Sequence, residues 1–150
     1  MTEAKGESGQ ISILILGMCV IALTVILGAT AVTSVHLSRM AMIDAADTAA
    51  LDAADDGGRL AYSEGVDVAA PLSDATVRRS AADSLARREP PTRVSALHIT
   101  GATGTPDGRT AVVVLTGDVD VPLVGGLIRS LGGSVTVTVE SRARAVTPAS

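Results

Sequence analysis

Apolar residues fill almost every position between residues 11 and 37, and none of these 27 residues carries a formal charge. About 20 apolar residues suffice for a helix to cross a bilayer. At about 1.5 Å per residue, a helix over residues 11–37 would be about 40 Å long. The pattern therefore predicts a transmembrane helix over residues 11–37, preceded by a short polar segment at residues 1–10.

The helical pattern continues beyond the apolar stretch. Residues 38–56 read SRMAMIDAADTAALDAADD, which is rich in alanine and contains no glycine or proline before Gly57-Gly58. Alanine is the best helix former, so we predict a helical extension over residues 38–56 and one rod from about Ile11 to Asp55. The Asp-Ala-Ala-Asp repeats could hold a metal ion, but no His or Cys joins them. A solvated helix face is the preferred interpretation, and no metal is predicted.

A second helix is predicted from Ser73 to Arg88. Ser73 or Asp74 can cap its start, and Pro90-Pro91 ends it. Its narrow apolar face is formed by Val77, Ala81 and Leu85.

Alternating valines predict strands in the remaining third of the chain. They cover residues 94–100, 110–121 and 134–142, with a short amphipathic helix over residues 123–131. The predicted fold class is α+β, in which residues 57–150 form a small domain with one principal helix and a three-stranded antiparallel sheet. The sheet would pack against the second helix or against the end of the rod.

The composition of the chain argues against several classes of function. The net charge is −4 without a basic patch, and the aromatic content is 1%, so we do not expect nucleic-acid binding. Cys19 is the single cysteine and lies in the apolar stretch, which excludes an intrachain disulfide. His36 and His98 have no recognisable catalytic partners in the sequence. We therefore predict a non-enzymatic protein with no cofactor and no small-molecule substrate.

Small residues in the apolar stretch predict a helix-packing face. Gly17, Thr24, Gly28 and Ala31 are spaced by seven, four and three residues, which places them near one side of a helix. Small residues allow a second helix to approach closely in lipid. Because these residue types are common in membrane helices, the stripe could also have no partner.

A cleaved signal peptide is the alternative to a retained anchor. Ala29-Thr30-Ala31 has the form of a signal-peptidase site, and cleavage after Ala31 would release a small secreted binding protein. Against cleavage, the amino-terminal segment is weakly basic and the helical pattern continues past Ala31. We favour an uncleaved anchor. Lys5 before the stretch and Arg39 after it nearly balance, so charge alone leaves the orientation open.

Two motifs resemble the amino-terminal region of TadG/TadE-like proteins of bacterial tight-adherence (Flp pilus) systems. They are residues 7–13 (ESGQISI) before the apolar stretch and residues 43–51 (IDAADTAAL) after it. The valine strands on either side of Val121-Pro122-Leu123 also look like TadE-type outer domains. The resemblance implies a single-pass, pseudopilin-like protein of the cell membrane, with residues 1–10 cytoplasmic and the carboxy-terminal domain extracytoplasmic.

The same resemblance implies partners and candidate processing sites. The implied partners are membrane lipid and other Tad or pilus subunits, contacted through the transmembrane helix and the outer domain. Pilin-type processing cuts after a glycine and favours Glu at the fifth following position. That position is Ile11 after Gly6 and Leu14 after Gly9. The chain therefore lacks the usual glutamate at both candidate processing glycines.

Overall fold

The computed structural model describes residues 7–63, 71–122, 125–130 and 134–144. Within these residues the chain forms three helices and three strands. The elements are α1 (Glu7–Ser63), α2 (Asp74–Ala86), β1 (Val94–Ile99), β2 (Thr110–Val119), α3 (Gly125–Ser130) and β3 (Val135–Arg144). The predicted α+β class with a three-stranded antiparallel sheet is confirmed.

Helix α1 is continuous through 57 residues and ends later than the sequence predicts. The predicted rod ends near Asp55, whereas α1 passes through Gly57-Gly58 and ends at Ser63. A glycine inside a helix costs about 1 kcal/mol relative to alanine. That cost weakens a helix without necessarily stopping it, so the two glycines are not a boundary here.

One side of the carboxy-terminal half of α1 forms the core of the domain. Among the α1 residues whose burial the structure describes, the buried ones are Ser34, Ser38, Met42, Ala46, Ala49, Ala50, Ala53 and Ala54. They recur every three or four residues, as expected for a single helix face. This face packs against α2 and against strands β2 and β3. The two packing alternatives that the sequence leaves open are both realised, because the sheet contacts both α1 and α2.

Helix α2 follows its sequence prediction closely. The hydroxyl of Ser73 accepts a hydrogen bond from the Thr76 backbone N–H at 3.1 Å and caps the helix. Val77 and Ala81 are fully buried, and Leu85 packs at the margin of the same core. The predicted apolar face of α2 is thus the face that contacts α1.

The sheet has the order β1-β2-β3, so β2 is the central strand. In β2, Ala111, Val113 and Leu115 join the core beside α1, while Val112 and Val114 are buried on the opposite face. Burial on both faces explains the uninterrupted apolar run in this strand.

The β1–β2 connection covers the second face of β2. Gly104 pairs with Val112 through two backbone hydrogen bonds of 2.8 and 3.0 Å. The Thr103 hydroxyl accepts a hydrogen bond from the Val114 N–H at 2.9 Å. Helix α2 holds this connection, since the Asp74 carboxylate accepts from the Thr105 N–H at 2.8 Å. Residues 101–104 are therefore a structural loop that covers this face of β2.

The turn at residues 105–108 is stabilised by Asp107. Its carboxylate accepts hydrogen bonds from the Arg109 and Thr110 N–H groups at 2.9 and 2.6 Å, and from the Thr110 hydroxyl. These bonds favour the charged form, the Arg109 N–H contributing most, and hold the pKa of Asp107 below its ordinary value. Gly108 has φ 68°, a left-handed conformation that glycine adopts without steric cost.

Strand β1 carries a bulge between Ser95 and His98. Ala96 in this bulge has φ 52°, and the bulge lies opposite Gly117 of the neighbouring strand β2. A Cβ atom at Gly117 would lie 2.7 Å from Val94 Cγ1. Glycine at this position therefore permits the close approach of β1 to β2.

We predict that replacing Ala49 with leucine will destabilise the domain by about 1–3 kcal/mol, because the larger side chain overpacks the interface. Ala49 is fully buried in the core cluster. Ala29→Leu is the matched control, since Ala29 lies on the exposed part of α1 and its substitution should change stability by no more than about 0.5 kcal/mol. Urea unfolding of the full chain in detergent, followed by circular dichroism, gives both values. Equal effects of the two variants would contradict the assigned core.

Candidate membrane and partner surfaces

The amino-terminal half of α1 exposes its apolar side chains in all directions. Within the described residues, α1 contains one stretch, Gly9–Asp56, that is long and apolar enough to cross a membrane by length and composition. Its most apolar window has no buried residue. A helix that is apolar all round and makes no contact with its own domain is compatible with membrane anchoring.

The domain begins to cover α1 before the predicted transmembrane segment ends. Ser34 is buried, and its hydroxyl accepts a hydrogen bond from the Arg93 guanidinium at 3.1 Å. Residues 31–37 therefore lie beside the domain as well as inside the predicted 11–37 segment. The 20 residues from 11 to 30 precede the part of α1 that lies beside the domain. At about 1.5 Å per residue they would span about 30 Å.

The predicted small-residue face lies on the same side of α1 as the domain core. Gly17, Thr24, Ala31 and the buried Ser38 are each separated by seven residues, which is close to two helical turns. Gly17 and Gly28 face open space, since a Cβ atom on either would have no neighbour within 4 Å. The Thr24 hydroxyl donates to the Val20 carbonyl at 2.8 Å. Ala31 is half-buried at the edge of the domain.

The three candidate processing positions have different surroundings. Gly6 lies outside the described residues. Gly9 is in the first turn of α1 and faces open space. Ala31 lies inside the uninterrupted helix. Proteases cut most readily in exposed, irregular segments, and the site after Ala31 does not have that backbone conformation.

An open groove of about 830 Å³ lies where α1, α2 and the edge strand β1 meet. Its lining combines an apolar floor, which includes Ala45, Leu85 and Ile99, with a rim that includes Asp44 and His98. The Nδ1 atom of His98 is 2.8 Å from the Ala96 carbonyl oxygen. One ring nitrogen of His98 is therefore engaged with the backbone of the bulge. The groove joins residues distant in sequence, so no local pattern could have predicted it.

A comparison with protein families gives a match to about the amino-terminal third of the chain. Residues 9–56 match the family described as Putative Flp pilus-assembly TadE/G-like. The resemblance drawn from the two sequence motifs is confirmed over these residues. The TadE/G-like segment includes both the exposed apolar half of α1 and the alanine-rich part that forms the domain core. Searches of curated proteins and of solved structures each found no match.

Two aspartates of the TadE/G-like segment join α1 to α2. Asp52 accepts a hydrogen bond from the buried Ser84 hydroxyl, and Asp56 accepts one from the buried Ser80 hydroxyl, each at 2.5 Å. The guanidinium of Arg87, the C-cap residue of α2, lies 3.6 Å from the Asp52 carboxylate. Because an unpaired buried hydroxyl is costly, these aspartates stabilise the helix pair.

The remaining aspartates of this segment, Asp44, Asp47 and Asp55, are exposed. The two Asp-Ala-Ala-Asp repeats are thus divided between a helix–helix contact and a solvated face. In the part of the chain that the structure describes, no group of three or more His, Cys, Asp or Glu residues is arranged to hold a metal ion.

The α1–α2 hydrogen bonds are not among the features predicted from the sequence. The sequence does contain an indication of these bonds. Ser80 and Ser84 are four residues apart and lie on the same buried face of α2 as Val77 and Ala81. Polar residues on an otherwise apolar face require a hydrogen-bond partner. Which aspartate supplies it depends on how the two helices cross.

We predict that Asp52→Ala will reduce stability by about 1–3 kcal/mol, because the Ser84 hydroxyl would be left buried without its acceptor. Asp55→Ala is the matched control, since Asp55 is exposed on the same helix and its loss should cost no more than about 0.5 kcal/mol. The measurement is urea unfolding of both full-length variants. A loss of stability of the same size in the Asp55 variant would contradict the assigned contact.

Proposed function

We propose that this protein is a non-enzymatic, pseudopilin-like structural component of a Tad/Flp-type pilus or secretion apparatus. In this proposal one amino-terminal transmembrane helix anchors it in the cell membrane, and the carboxy-terminal domain lies outside the cytoplasm. The observation that carries the proposal is the single helix α1. Its exposed apolar half and its core-forming half both lie in the segment that matches the TadE/G-like family.

The dimensions of α1 support the anchor. Residues 11–30 would cover about 30 Å, which equals the thickness of a typical hydrocarbon core. Residues 31–37 would then begin at the boundary between the hydrocarbon and the lipid headgroups and continue through the headgroup layer, beside the end of the domain nearest the bilayer. This is a shorter hydrocarbon-spanning segment than the 11–37 predicted from apolarity alone. Because α1 continues without a linker, the helix would hold the domain close to the bilayer surface.

Two surfaces support a role in assembly. Gly17, Thr24, Gly28 and Ala31 leave one side of the membrane helix narrow enough for another helix to pack closely. Because this side is continuous with the buried face of α1, a partner helix would lie beneath the domain. Above the membrane, the groove between α1, α2 and β1 offers an apolar surface to other subunits.

The non-enzymatic part of the proposal draws its support from the family match over residues 9–56. A pilus-assembly family is consistent with a role that depends on contacts between subunits.

A secreted protein released after Ala31 is the second candidate. One observation favours it, because Ser34 is the first buried residue of α1. A chain starting at Val32 would therefore retain every α1 residue of the core. The weakly basic amino-terminal segment opposes it, as does the helical pattern that continues past Ala31.

Mass spectrometry of the mature amino terminus, from separated membrane and culture fractions, tests the proposal. We expect an intact start, or a start after Gly6 or Gly9, with the protein in the membrane fraction. A start at Val32 with the protein in the medium would overturn the anchored role and support the secreted one.

We predict that Gly28→Leu will reduce recovery of partner subunits with the protein by about tenfold, because the larger side chain blocks close helix approach. Ala22→Leu is the control, since Ala22 lies on the opposite side of the helix and is also exposed. Affinity purification from detergent-solubilised membranes, with quantitative mass spectrometry, measures recovery. Equal recovery for the two variants would show that this face has no role in assembly.

A further inference from the structure

An apolar recess lies between α1 and the lower end of the sheet. It has a volume of about 430 Å³ and is lined by Ala31, Val32, Val35, His36, Arg39, Val121 and Val135. Its walls are almost entirely apolar. The recess is distinct from the groove beside β1, with which it shares no lining residue.

The position of the recess relates it to the proposed membrane surface. Its α1 wall begins at Ala31, directly after the 20 residues that match the hydrocarbon thickness. Its other wall comes from Val121, just after β2, and Val135, at the start of β3. These residues bracket the β2–β3 connection, so the recess is at the end of the domain nearest the exposed apolar helix.

The chemistry of the recess combines an apolar interior with a cationic edge. Val32 is 71% exposed, which is unfavourable in water but suits contact with hydrocarbon. Arg39 is exposed two turns further along the helix, on the side away from the membrane. An apolar surface below a guanidinium group matches the order of acyl chain and phosphate in a phospholipid.

We propose that this recess binds one anionic phospholipid, with an acyl chain against Val32, Val121 and Val135 and the phosphate at Arg39. The inference rests on the proposed membrane anchoring and adds a specific lipid contact to it. A lipid in this position would fill the space beneath the domain and fix its height above the bilayer.

The test uses the full chain reconstituted in vesicles of equal parts phosphatidylglycerol and phosphatidylcholine. Flotation of the vesicles first measures insertion. Native mass spectrometry of the released protein then counts retained lipids and identifies their headgroups. We expect one retained phosphatidylglycerol, and we expect Arg39→Gln to reduce its preference over phosphatidylcholine about fivefold.

Val32→Gln and Leu37→Gln form a matched pair. Both residues are exposed, at 71% and 61%, and they lie within two turns of each other on α1, but only Val32 lines the recess. We expect Val32→Gln to reduce retention of both lipids about tenfold, through the lost apolar contact, and Leu37→Gln to leave retention unchanged.

The outcomes separate this inference from the proposed function. Failure of the chain to float with vesicles would refute the anchor and the lipid site together. Flotation without retained phosphatidylglycerol, or equal effects of the Val32 and Leu37 variants, would overturn the lipid site and leave the anchor intact. A dimer retained in place of lipid and lost in Val32→Gln would also overturn it, and would assign the recess to a second copy of the chain.

Discussion

The packing of one alanine-rich face of α1 against the sheet and α2 is the constraint on which the rest of the structure depends. The chain has a single aromatic residue, Tyr62, and among the described residues the largest fully buried side chains are the aliphatic Met42 and Leu115. Small side chains such as Ala46, Ala49 and Ala53 also let the backbone of α1 approach its neighbouring elements closely. The core is therefore filled by closely packed backbones and small side chains. A core of this kind tolerates little added volume on α1, since each alanine contacts a neighbouring element.

Polar contacts supplement this small apolar core. The Asp52–Ser84 and Asp56–Ser80 hydrogen bonds fix how α1 and α2 lie together. The Asp74 carboxylate and the Arg78 guanidinium hold the loop that covers the second face of β2, through Thr105 and Thr103. In both places a buried or covered backbone or hydroxyl group obtains its partner from a charged side chain. Such bonds contribute more than neutral ones and specify the arrangement as well as stabilising it.

Because the core-forming helix is also the apolar helix, the proposed anchor and the domain are one rigid element. A flexible linker would let the domain sample many orientations, whereas a continuous helix fixes its position relative to the bilayer. Toward the amino terminus of α1, the side that holds the core continues as the small-residue face, and the apolar recess lies where the two meet. The proposed contacts with a partner helix and with lipid would therefore act directly beneath the domain.

The sequence by itself determined the apolar helix, its alanine-rich continuation, the α2 cap at Ser73, the alternating strands and the resemblance to TadE/G-like proteins. These features arise from residue periodicity and local hydrogen bonding, which need no tertiary contact. Only the tertiary structure decided that Asp52 accepts a hydrogen bond from Ser84 and that Gly117 allows the close approach of the bulged strand. It also decided that Val32, Val121 and Val135 line one recess. Each of these joins residues far apart in the chain, and their meeting depends on how the helices and the sheet cross.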